Sequence, residues 1–140
     1  MQGFFSNGKL LLTGEYLVLD GALALAVPTQ FGQSLTIEII GEPKLIWKSI
    51  NHEGDIWFEG AFLLQNNEIL NQVQDDNKVS KRIVQILRAV KQLNPNFLNQ
   101  EFGYKVTTKL DFPPFWGLGS SSTLINNIAR WAKVDAYQLL

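Results

Sequence analysis

The chain has 140 residues, 46% of them hydrophobic, which suits a single domain able to bury a core and excludes a disordered tail. Its formal net charge is −1 and its basic residues are scattered, so a broad nucleic-acid-binding surface is not expected. The absence of cysteine excludes disulfides, thiolate metal sites and a cysteine nucleophile, and the composition is typical of a cytoplasmic protein.

The N-terminal part of the chain predicts a series of short strands. Asp20 and Gly21 supply a turn between the first two runs of apolar residues, which we interpret as a hairpin or paired strands. Further alternating runs follow, and the whole region is expected to be a largely antiparallel meander. The strands are predicted at residues 8–19, 23–27, 33–40, 45–50 and 55–59.

The middle of the chain changes from strand to helix. Residues 61–76 are rich in amide side chains, and we interpret them as a helix or a loop. A clear amphipathic helix follows at residues 79–93, with a candidate N-cap at Asn77 and a stop at Asn94 and Pro95. Such a helix is expected to pack on the sheet. The fold class is then α+β, with two layers and helices on one face of a mixed sheet.

A further strand and helix are predicted in the last part of the chain. Residues 102–110 alternate with period two before Pro113 and Pro114 end the strand. Apolar residues then recur at helical spacing, at Leu124, Ile125, Ile128, Ala129 and Ala132. The polar residues of this helix are expected to turn away from the core, namely Asn126, Asn127, Arg130 and Lys133.

The segment between that strand and helix is the most informative part of the sequence. It reads Pro-Pro-Phe-Trp-Gly-Leu-Gly-Ser-Ser-Ser-Thr over residues 113–123. Gly117 and Gly119 remove side chains where a backbone must approach a ligand closely. Unpaired N–H groups at the helix start and the positive end of the helix dipole converge there on an anion. The sequence therefore predicts a phosphate-binding turn.

Other interpretations of this turn are open. The serines from Ser120 onwards would merely cap the helix if the glycines only make a tight turn. The Walker A pattern fails, because no lysine follows Gly119. The dinucleotide pattern G-x-G-x-x-G is nearly met by Gly117, Gly119 and Ser122, with Asp135 near the expected acidic position. That pattern belongs to the first unit of a parallel sheet, so a nicotinamide or flavin site ranks below ATP.

A second segment, near the N-terminus, carries a candidate cation. It reads Gly-Lys-Leu-Leu-Leu-Thr-Gly-Glu-Tyr-Leu-Val-Leu-Asp-Gly over residues 8–21. Taken alone, it favours a surface charge at a strand entry for Lys9 and a solvated turn residue for Glu15. Paired with the glycine–serine turn, it favours a shared functional site.

Together the two segments resemble the paired motifs of the GHMP kinase superfamily, named for galactokinase, homoserine kinase, mevalonate kinase and phosphomevalonate kinase. Residues 8–21 are similar to the first motif of the family, closest to the mevalonate and phosphomevalonate kinase branch, and residues 24–29 also resemble a segment of that branch. The second motif, P-x-x-x-G-L-G-S-S, is matched by Pro113, Gly117, Leu118, Gly119, Ser120 and Ser121. Two spaced motifs in this order are far more specific than either alone.

The resemblance implies a ribosomal protein S5 domain 2-like fold and ATP-dependent phosphoryl transfer to a small-molecule acceptor, most similar to mevalonate or phosphomevalonate. A sugar kinase and a diphosphomevalonate decarboxylase are the alternatives within the superfamily. A nucleotide-binding or interaction module without catalysis is the alternative from another class.

The resemblance also implies how the nucleotide is held. Backbone N–H groups from Gly117 to Ser122, in the motif that Pro113 opens, would bind the ATP phosphates. The Ser121 hydroxyl would contact Mg²⁺, since a hard cation prefers oxygen ligands.

On the acceptor side, Lys9 would be the catalytic cation, close to the acceptor and to the transferred phosphoryl group. Glu15 and Tyr16 lie at substrate-contact positions where family members carry Glu and often His. Asn7 replaces the proline that is common before the glycine and lysine.

The resemblance covers essentially all 140 residues but only the first half of such a kinase. The catalytic aspartate, the acidic magnesium ligand and the third glycine-rich motif of the family are not visible. We therefore expect residues 1–140 to be an N-terminal ATP-binding domain that packs on a C-terminal domain and is incomplete for catalysis by itself.

The expected partners are the small-molecule acceptor and that C-terminal domain, with neither nucleic acid nor membrane. No secretory signal is visible in the first residues, and no segment approaches the roughly 20 apolar residues of a membrane span. The predicted localisation is cytoplasmic, and a homodimer is left open.

Overall fold

The computed structural model describes residues 2–11, 26–65, 68–71, 78–98, 102–113 and 120–139 of the chain. These residues form a six-stranded sheet and two α-helices. The elements in chain order are β1 (Gln2–Leu11), β2 (Ala26–Ile40), β3 (Lys44–Ile50), β4 (Ile56–Gln65), β5 (Glu68–Asn71), α1 (Lys78–Leu93), β6 (Gly103–Leu110), α2 (Ser120–Ala132) and a short 3₁₀-helix (Ala136–Leu139).

The sheet is mixed, as the sequence predicts. Its strand order is β1-β2-β6-β3-β4-β5, and every neighbouring pair is antiparallel except β3 and β6, which are parallel. A parallel pair needs a crossover connection, and α1 lies in the connection that returns the chain from β5 to β6. The α+β fold class is therefore confirmed.

The core lies between the sheet and the helices. Alternate residues of the central strands point towards the helices and are buried, as a period of two requires. Val106 in the middle of β6 is fully buried, and the strands on either side of it add Leu35, Ile37, Leu45 and Trp47. The other face of the sheet is more polar, with Lys105, Thr107 and Lys109 on β6.

Helix α1 buries one apolar stripe in this core. The stripe consists of Ile83, Val84, Ile86, Leu87 and Val90, at the spacing that the sequence predicts. The helix ends at Leu93, directly before Asn94 and Pro95, since a proline disfavours helical backbone in the residue that precedes it.

Three sequence predictions differ from the structure. Residues 61–65 continue β4 and residues 68–71 form β5, although their composition favours a helix or a loop. Pairing with β3 on one side and burial of Phe62 and Ile69 outweigh the weak local preference. Likewise, β1 begins at Gln2 rather than Gly8, and β2 is one strand of 15 residues rather than two.

No helix in the described part of the chain is both long and apolar enough to cross a membrane.

Candidate phosphate-binding site

The structure describes part of the predicted site. Lys9 lies on β1, and Ser120 is the first residue of α2. Pro113 is buried just beyond β6. The remaining residues of the glycine-rich turn, Gly117 and Leu118 among them, lie outside the described residues, as do Gly119, Glu15 and Tyr16.

The chain that enters the turn is held on β2. Leu110 and Phe112 are buried in a small apolar cluster with Phe31. The N–H of Asp111 donates to the Gly32 carbonyl oxygen over 2.9 Å. The apolar cluster and this hydrogen bond together fix the backbone immediately before Pro113.

The chain that leaves the turn is also held on β2, one residue further along. The Thr123 hydroxyl donates to Gln33 Oε1 over 2.8 Å, and Asn127 Nδ2 donates to the Gln33 carbonyl oxygen over 2.8 Å. The segments on the two sides of residues 114–119 are therefore both hydrogen-bonded to β2, one at Gly32 and the other at Gln33. A loop whose ends are fixed side by side needs less ordering when a ligand binds.

A buried polar cluster joins α2 to the first two strands, and it consists of Ser6, Gln33, Thr123, Asn126 and Asn127. Ser6 Oγ donates to Asn127 Oδ1 over 2.6 Å and accepts from Asn126 Nδ2 over 2.7 Å. Asn127 is 0% exposed. Among the described residues, no buried side-chain nitrogen or oxygen lacks a hydrogen-bond partner. Because hydrogen bonds depend on the direction of donor and acceptor, the cluster fixes the position of α2 along β1.

Helix α2 runs antiparallel to β1. From its start to its end, Asn127 contacts Ser6, Arg130 donates to the Phe5 carbonyl oxygen over 2.8 Å, and the Arg130 guanidinium lies 5.6 Å from the centre of the Phe4 ring. Going back from Asn127 to the helix start covers about 10 Å, at about 1.5 Å per residue. Going from Ser6 to Lys9 covers about 10 Å, at about 3.3 Å per residue. The first turn of α2 and Lys9 therefore lie towards the same end of β1.

The pairing of β1 with β2 changes register just before Lys9. Asn7 pairs with Gly32 but Lys9 pairs with Pro28, so β2 carries extra residues opposite Gly8. Such irregularities bend a strand and often re-aim a side chain next to a functional site. Packing also requires glycine at position 32, because a Cβ there would overlap the Ser6 carbonyl oxygen and lie 2.6 Å from Phe5 Cζ.

The electrostatics of α2 favour an anion at its start. The first turn contains no acidic residue, and the last turn contains Arg130. A carboxylate in the first turn would compete with a phosphate for the free N–H groups and the positive end of the helix dipole. Ser122 is exposed there, whereas Thr123 is buried and bonded to Gln33.

The sequence prediction about the polar side of α2 is partly wrong. Asn127 faces the sheet rather than solvent, because the strands opposite it present a serine hydroxyl and a backbone carbonyl instead of apolar side chains. Ser6, Gln33 and Gly32 were missed as contributors to the site. One feature of the sequence could have indicated them. Thr123 and Asn127 are four residues apart, so they form a polar stripe next to the apolar stripe of α2.

The side chains that the structure describes offer no complete metal site. The described part of the chain contains no group of three or more His, Asp or Glu residues that could hold an ion. Mg²⁺ in nucleotide sites commonly takes one or two protein oxygens together with phosphate oxygens. The sequence places serine hydroxyls, which are oxygen ligands of this kind, at the start of α2.

The dinucleotide interpretation does not fit the sheet. The strand that leads into the turn, β6, is antiparallel to β2 and parallel only to β3. The dinucleotide fingerprint requires a turn in a parallel βαβ unit at the start of a doubly wound sheet. The topology therefore disfavours a nicotinamide or flavin site.

Comparison with solved structures finds the same fold in small-molecule kinases. The mevalonate kinase of Methanococcus jannaschii is 18% identical, with a TM-score of 0.65 over 96% of this chain and 41% of that one. A second mevalonate kinase is 17% identical, with a TM-score of 0.64 over 96% of this chain and 42% of that one. Galactokinase of Lactococcus lactis, in complex with galactose, is 18% identical, with a TM-score of 0.64 over 99% of this chain and 35% of that one.

This chain thus spans about two fifths of the length of the two mevalonate kinase structures and less of the galactokinase. No protein-family model and no curated protein matches the sequence. Mevalonate kinase and galactokinase both belong to the GHMP kinase superfamily, so the resemblance that the two motifs predict is confirmed at the level of the fold.

Proposed function

We propose that this chain is the ATP-binding part of a GHMP-type kinase that transfers a phosphoryl group to a small molecule. One observation carries the proposal: the polar cluster brings the acid-free start of α2 and Lys9 to the same end of β1. The helix terminus that we propose to bind the anion and the residue that we propose as the cation then lie on adjoining elements, which supports the proposal. The kinase fold of the structural neighbours supports the same conclusion.

The chemistry of phosphoryl transfer suits this arrangement. The transition state spreads negative charge over the transferred phosphoryl oxygens, so catalysis rests mainly on positioning and on fixed positive charge. Backbone N–H groups at a helix start bind phosphate without any reorganisation of side chains. Buried, fully bonded supports such as Asn127 keep that helix start in place.

The residue roles follow from the two motifs. Gly117 to Ser122 hold the ATP phosphates through their N–H groups, and Lys9 offsets charge on the transferred group. Mg²⁺, when bound, neutralises phosphate charge, and the Ser121 hydroxyl is its ligand from this chain. Glu15 and Tyr16 contact the acceptor.

The acceptor proposed first is mevalonate or phosphomevalonate, because residues 8–21 are most similar to that branch. A sugar acceptor is the second candidate, since galactokinase matches the fold with a TM-score of 0.64, close to the 0.65 of a mevalonate kinase. We also propose that a C-terminal domain packs on this one to complete the active site, and that the protein acts in the cytoplasm.

The first test measures nucleotide binding by the 140-residue chain with calorimetry. Gly119→Asp places a carboxylate among the phosphate-binding N–H groups, so we expect at least about a tenfold loss of Mg-ATP affinity, or about 1.4 kcal/mol. Gly41→Asp is the matched control, because a Cβ at Gly41 meets nothing within 4 Å. The control is expected to bind Mg-ATP as the unchanged chain does.

Three results would count against the proposal. Equal Mg-ATP affinities for the two aspartate variants would remove the turn from the site. Binding of NADH in preference to Mg-ATP would support a dinucleotide site instead. A folded chain that binds neither would contradict the placement of the whole nucleotide site in these residues.

The second test separates the role of Lys9 from that of the turn. Because Lys9 is proposed to face the transferred phosphoryl group, Lys9→Met is expected to weaken ATP binding about tenfold, a loss typical of one charge-assisted hydrogen bond. ADP lacks that group, so its affinity is expected to change less than about twofold. Lys109→Met, on the exposed side of β6, is the control. Equal losses for ATP and ADP would place Lys9 elsewhere.

A further inference from the structure

A groove of about 500 Å³ lies at the far end of α2 from the phosphate-binding turn. The helix is 13 residues long, so its two ends are about 18 Å apart. We call this feature the aromatic groove, and the residues that define it are Ile37, Ile39, Phe97, Tyr104 and Trp131, with Gln2, Asn94, Asn96, Leu98, Ala132 and Lys133 around them. Its volume falls in the range of small-molecule sites, about 300–1,000 Å³.

Three aromatic rings form one wall of the groove. Trp131 meets Phe97 edge to face with ring centres 4.7 Å apart, and it meets Tyr104 edge to face at 5.5 Å. Phe97 is buried, whereas Tyr104 and Trp131 are half-buried. Two interlocked pairs hold the rings in a fixed arrangement that leaves aromatic surface on the groove side.

The floor of the groove is an apolar strand end. Leu35 and Ile37 of β2 are buried under the helices, and Ile39 continues the same face of the strand. Ile39 is nevertheless 64% exposed. An apolar side chain on the core side of a sheet, left open beside three rings, is a surface that a flat apolar molecule can cover.

Unusual backbone conformations meet at this groove. Among the described residues, Leu98 (φ 58°) and Lys133 (φ 60°) are the non-glycine residues with positive φ, and both line the groove. Lys133 ends α2 in a Schellman motif, with Val134 N–H donating to the Ala129 carbonyl oxygen over 2.9 Å. Leucine rarely adopts a left-handed conformation, and residues held in such conformations cluster at ligand sites.

Hydrogen bonds between the walls hold the groove open and fixed. Asn94 Nδ2 donates to the Ala132 carbonyl oxygen over 2.8 Å, which joins the loop after α1 to the end of α2. Lys91 Nζ donates to the Phe97 carbonyl oxygen over 3.0 Å. A site fixed in this way loses little entropy when a ligand binds.

The charges at the groove point to a neutral ligand. Both α1 and α2 end there, and the carbonyl ends of two helices present partial negative charge. Lys91 and Lys133 offset that charge, and no acidic residue is among the described lining residues. Burial raises the pKa of the Tyr104 phenol, which stays protonated and able to donate at neutral pH. The amides of Gln2, Asn94 and Asn96 add further donors and acceptors at the rim.

We propose that the aromatic groove is a second binding site, for a neutral planar heteroaromatic molecule of about two fused rings. The rings of the ligand lie between Ile39 and the aromatic wall, and its polar atoms meet the rim amides. The proposal is independent of kinase activity, since it concerns the opposite end of α2.

The test is a heteronuclear NMR titration of the 140-residue chain with indole-3-carboxamide and, separately, with indole-3-carboxylate. For a ligand of this size we expect a Kd of about 0.1–1 mM for the carboxamide. Amide shifts are expected at residues 37–39, 94–98, 104 and 131–133. Binding of the carboxylate is expected to be weaker, because a charged group loses more hydration than a neutral amide when it enters a groove lined by apolar side chains.

Two matched variants make the test decisive. Ile39→Trp fills the groove from its floor, and Ile56→Trp adds the same ring at an isoleucine of β4 that is 49% exposed and does not line the groove. The first variant is expected to lose carboxamide binding by at least about fivefold and the second to keep it.

The proposal is overturned if the unchanged chain shows no shifts at the groove, or if Ile39→Trp binds as well as Ile56→Trp. Tighter binding of the carboxylate would replace the neutral ligand with an anion and equally overturn it. Groove shifts that depend on protein concentration, without any ligand, would show that a second copy of the chain covers this surface instead.

Discussion

The two helices are attached to the same face of the sheet by different kinds of contact. Helix α1 contributes an apolar stripe, and its buried Leu87 and Val90 belong to the main hydrophobic core. Helix α2 adds apolar residues such as Ile128 but also presents Asn127, which is bonded to Ser6 and to the Gln33 carbonyl. One attachment is largely non-directional and the other is directional.

The difference follows from what each helix has to do. Apolar contacts gain free energy in proportion to buried area and tolerate small shifts in position. Buried hydrogen bonds fix position, because a displaced donor or acceptor loses its partner in a low-dielectric interior. The directional contacts occur on the helix whose first turn is proposed to bind phosphate, where small displacements matter to the chemistry.

The largest expected effect is on the apolar attachment. Leu87→Ala removes a fully buried side chain from α1 and leaves a cavity, so we expect the free energy of unfolding to fall by about 2–5 kcal/mol. Mg-ATP affinity of the folded fraction is expected to stay unchanged. Urea unfolding and calorimetry measure the two quantities, and Leu93→Ala on the exposed end of α1 is the control. A large loss of ATP affinity with Leu87→Ala would erase the distinction between the helices.

A substitution in the hydrogen-bonded attachment of α2 is expected to lower Mg-ATP affinity as well as stability. Asn127→Leu keeps the approximate volume but removes the acceptor of the Ser6 hydroxyl and the side-chain donor to the Gln33 carbonyl, which costs about 1–3 kcal/mol of stability. Because the start of α2 then loses its register on β1, Mg-ATP affinity is expected to fall about tenfold. Asn126→Leu removes one bond from a half-buried site and is expected to do less. If Asn127→Leu lowers stability but leaves Mg-ATP affinity unchanged, the polar cluster has only a structural role.

The smallest effect is a pH dependence at the end of α2. Burial raises the pKa of the Tyr104 phenol above its ordinary 10.0, so above that pH the unfolded chain loses the proton first. The stability that Tyr104 contributes is complete below pH 10.0 and is lost as the pH rises through the folded-state pKa. Lys91 acts in the opposite sense. Burial lowers its pKa from the ordinary 10.5, so the folded chain loses this proton before the unfolded chain does. The contribution of Lys91 to stability therefore rises as the pH approaches 10.5 from below.

The comparison of wild type with Tyr104→Phe isolates the phenol, since Lys91 is present in both. Between about pH 9 and about pH 11, the free energy of unfolding is expected to fall less in Tyr104→Phe than in the unchanged chain. Urea unfolding at each pH measures this slope. Tyr137→Phe is the matched control, because Tyr137 is 83% exposed. Parallel slopes for wild type and Tyr104→Phe would contradict the assignment.

Local pattern was enough for the elements with strong periodicity. Helix α1 and strands β3 and β6 appear close to their predicted bounds, because their apolar residues repeat at the spacing of one buried face. Residues 61–65 and 68–71 were misjudged, since they form strands by pairing with other strands and not through a strong local pattern of their own.

The candidate site divides in the same way. Gly117, Gly119, the serines and Lys9 can be identified from the sequence, because tight turns, helix starts and a cation next to them leave a local composition that carries its own physical reason. Ser6, Gln33 and Asn127 cannot, since each is an ordinary polar residue until the fold brings residues 121 positions apart into hydrogen-bond contact.

The sequence by itself determined the fold class, the helix whose start is proposed to bind an anion, and the kinase-like pair of motifs. Only the tertiary structure decided that α2 lies antiparallel to β1, that the flanks of the turn meet at Gly32 and Gln33, and that an aromatic groove forms at the opposite end of the helix. The reason is that propensity and periodicity act over a few residues, whereas strand order and helix placement are set by long-range pairing and burial.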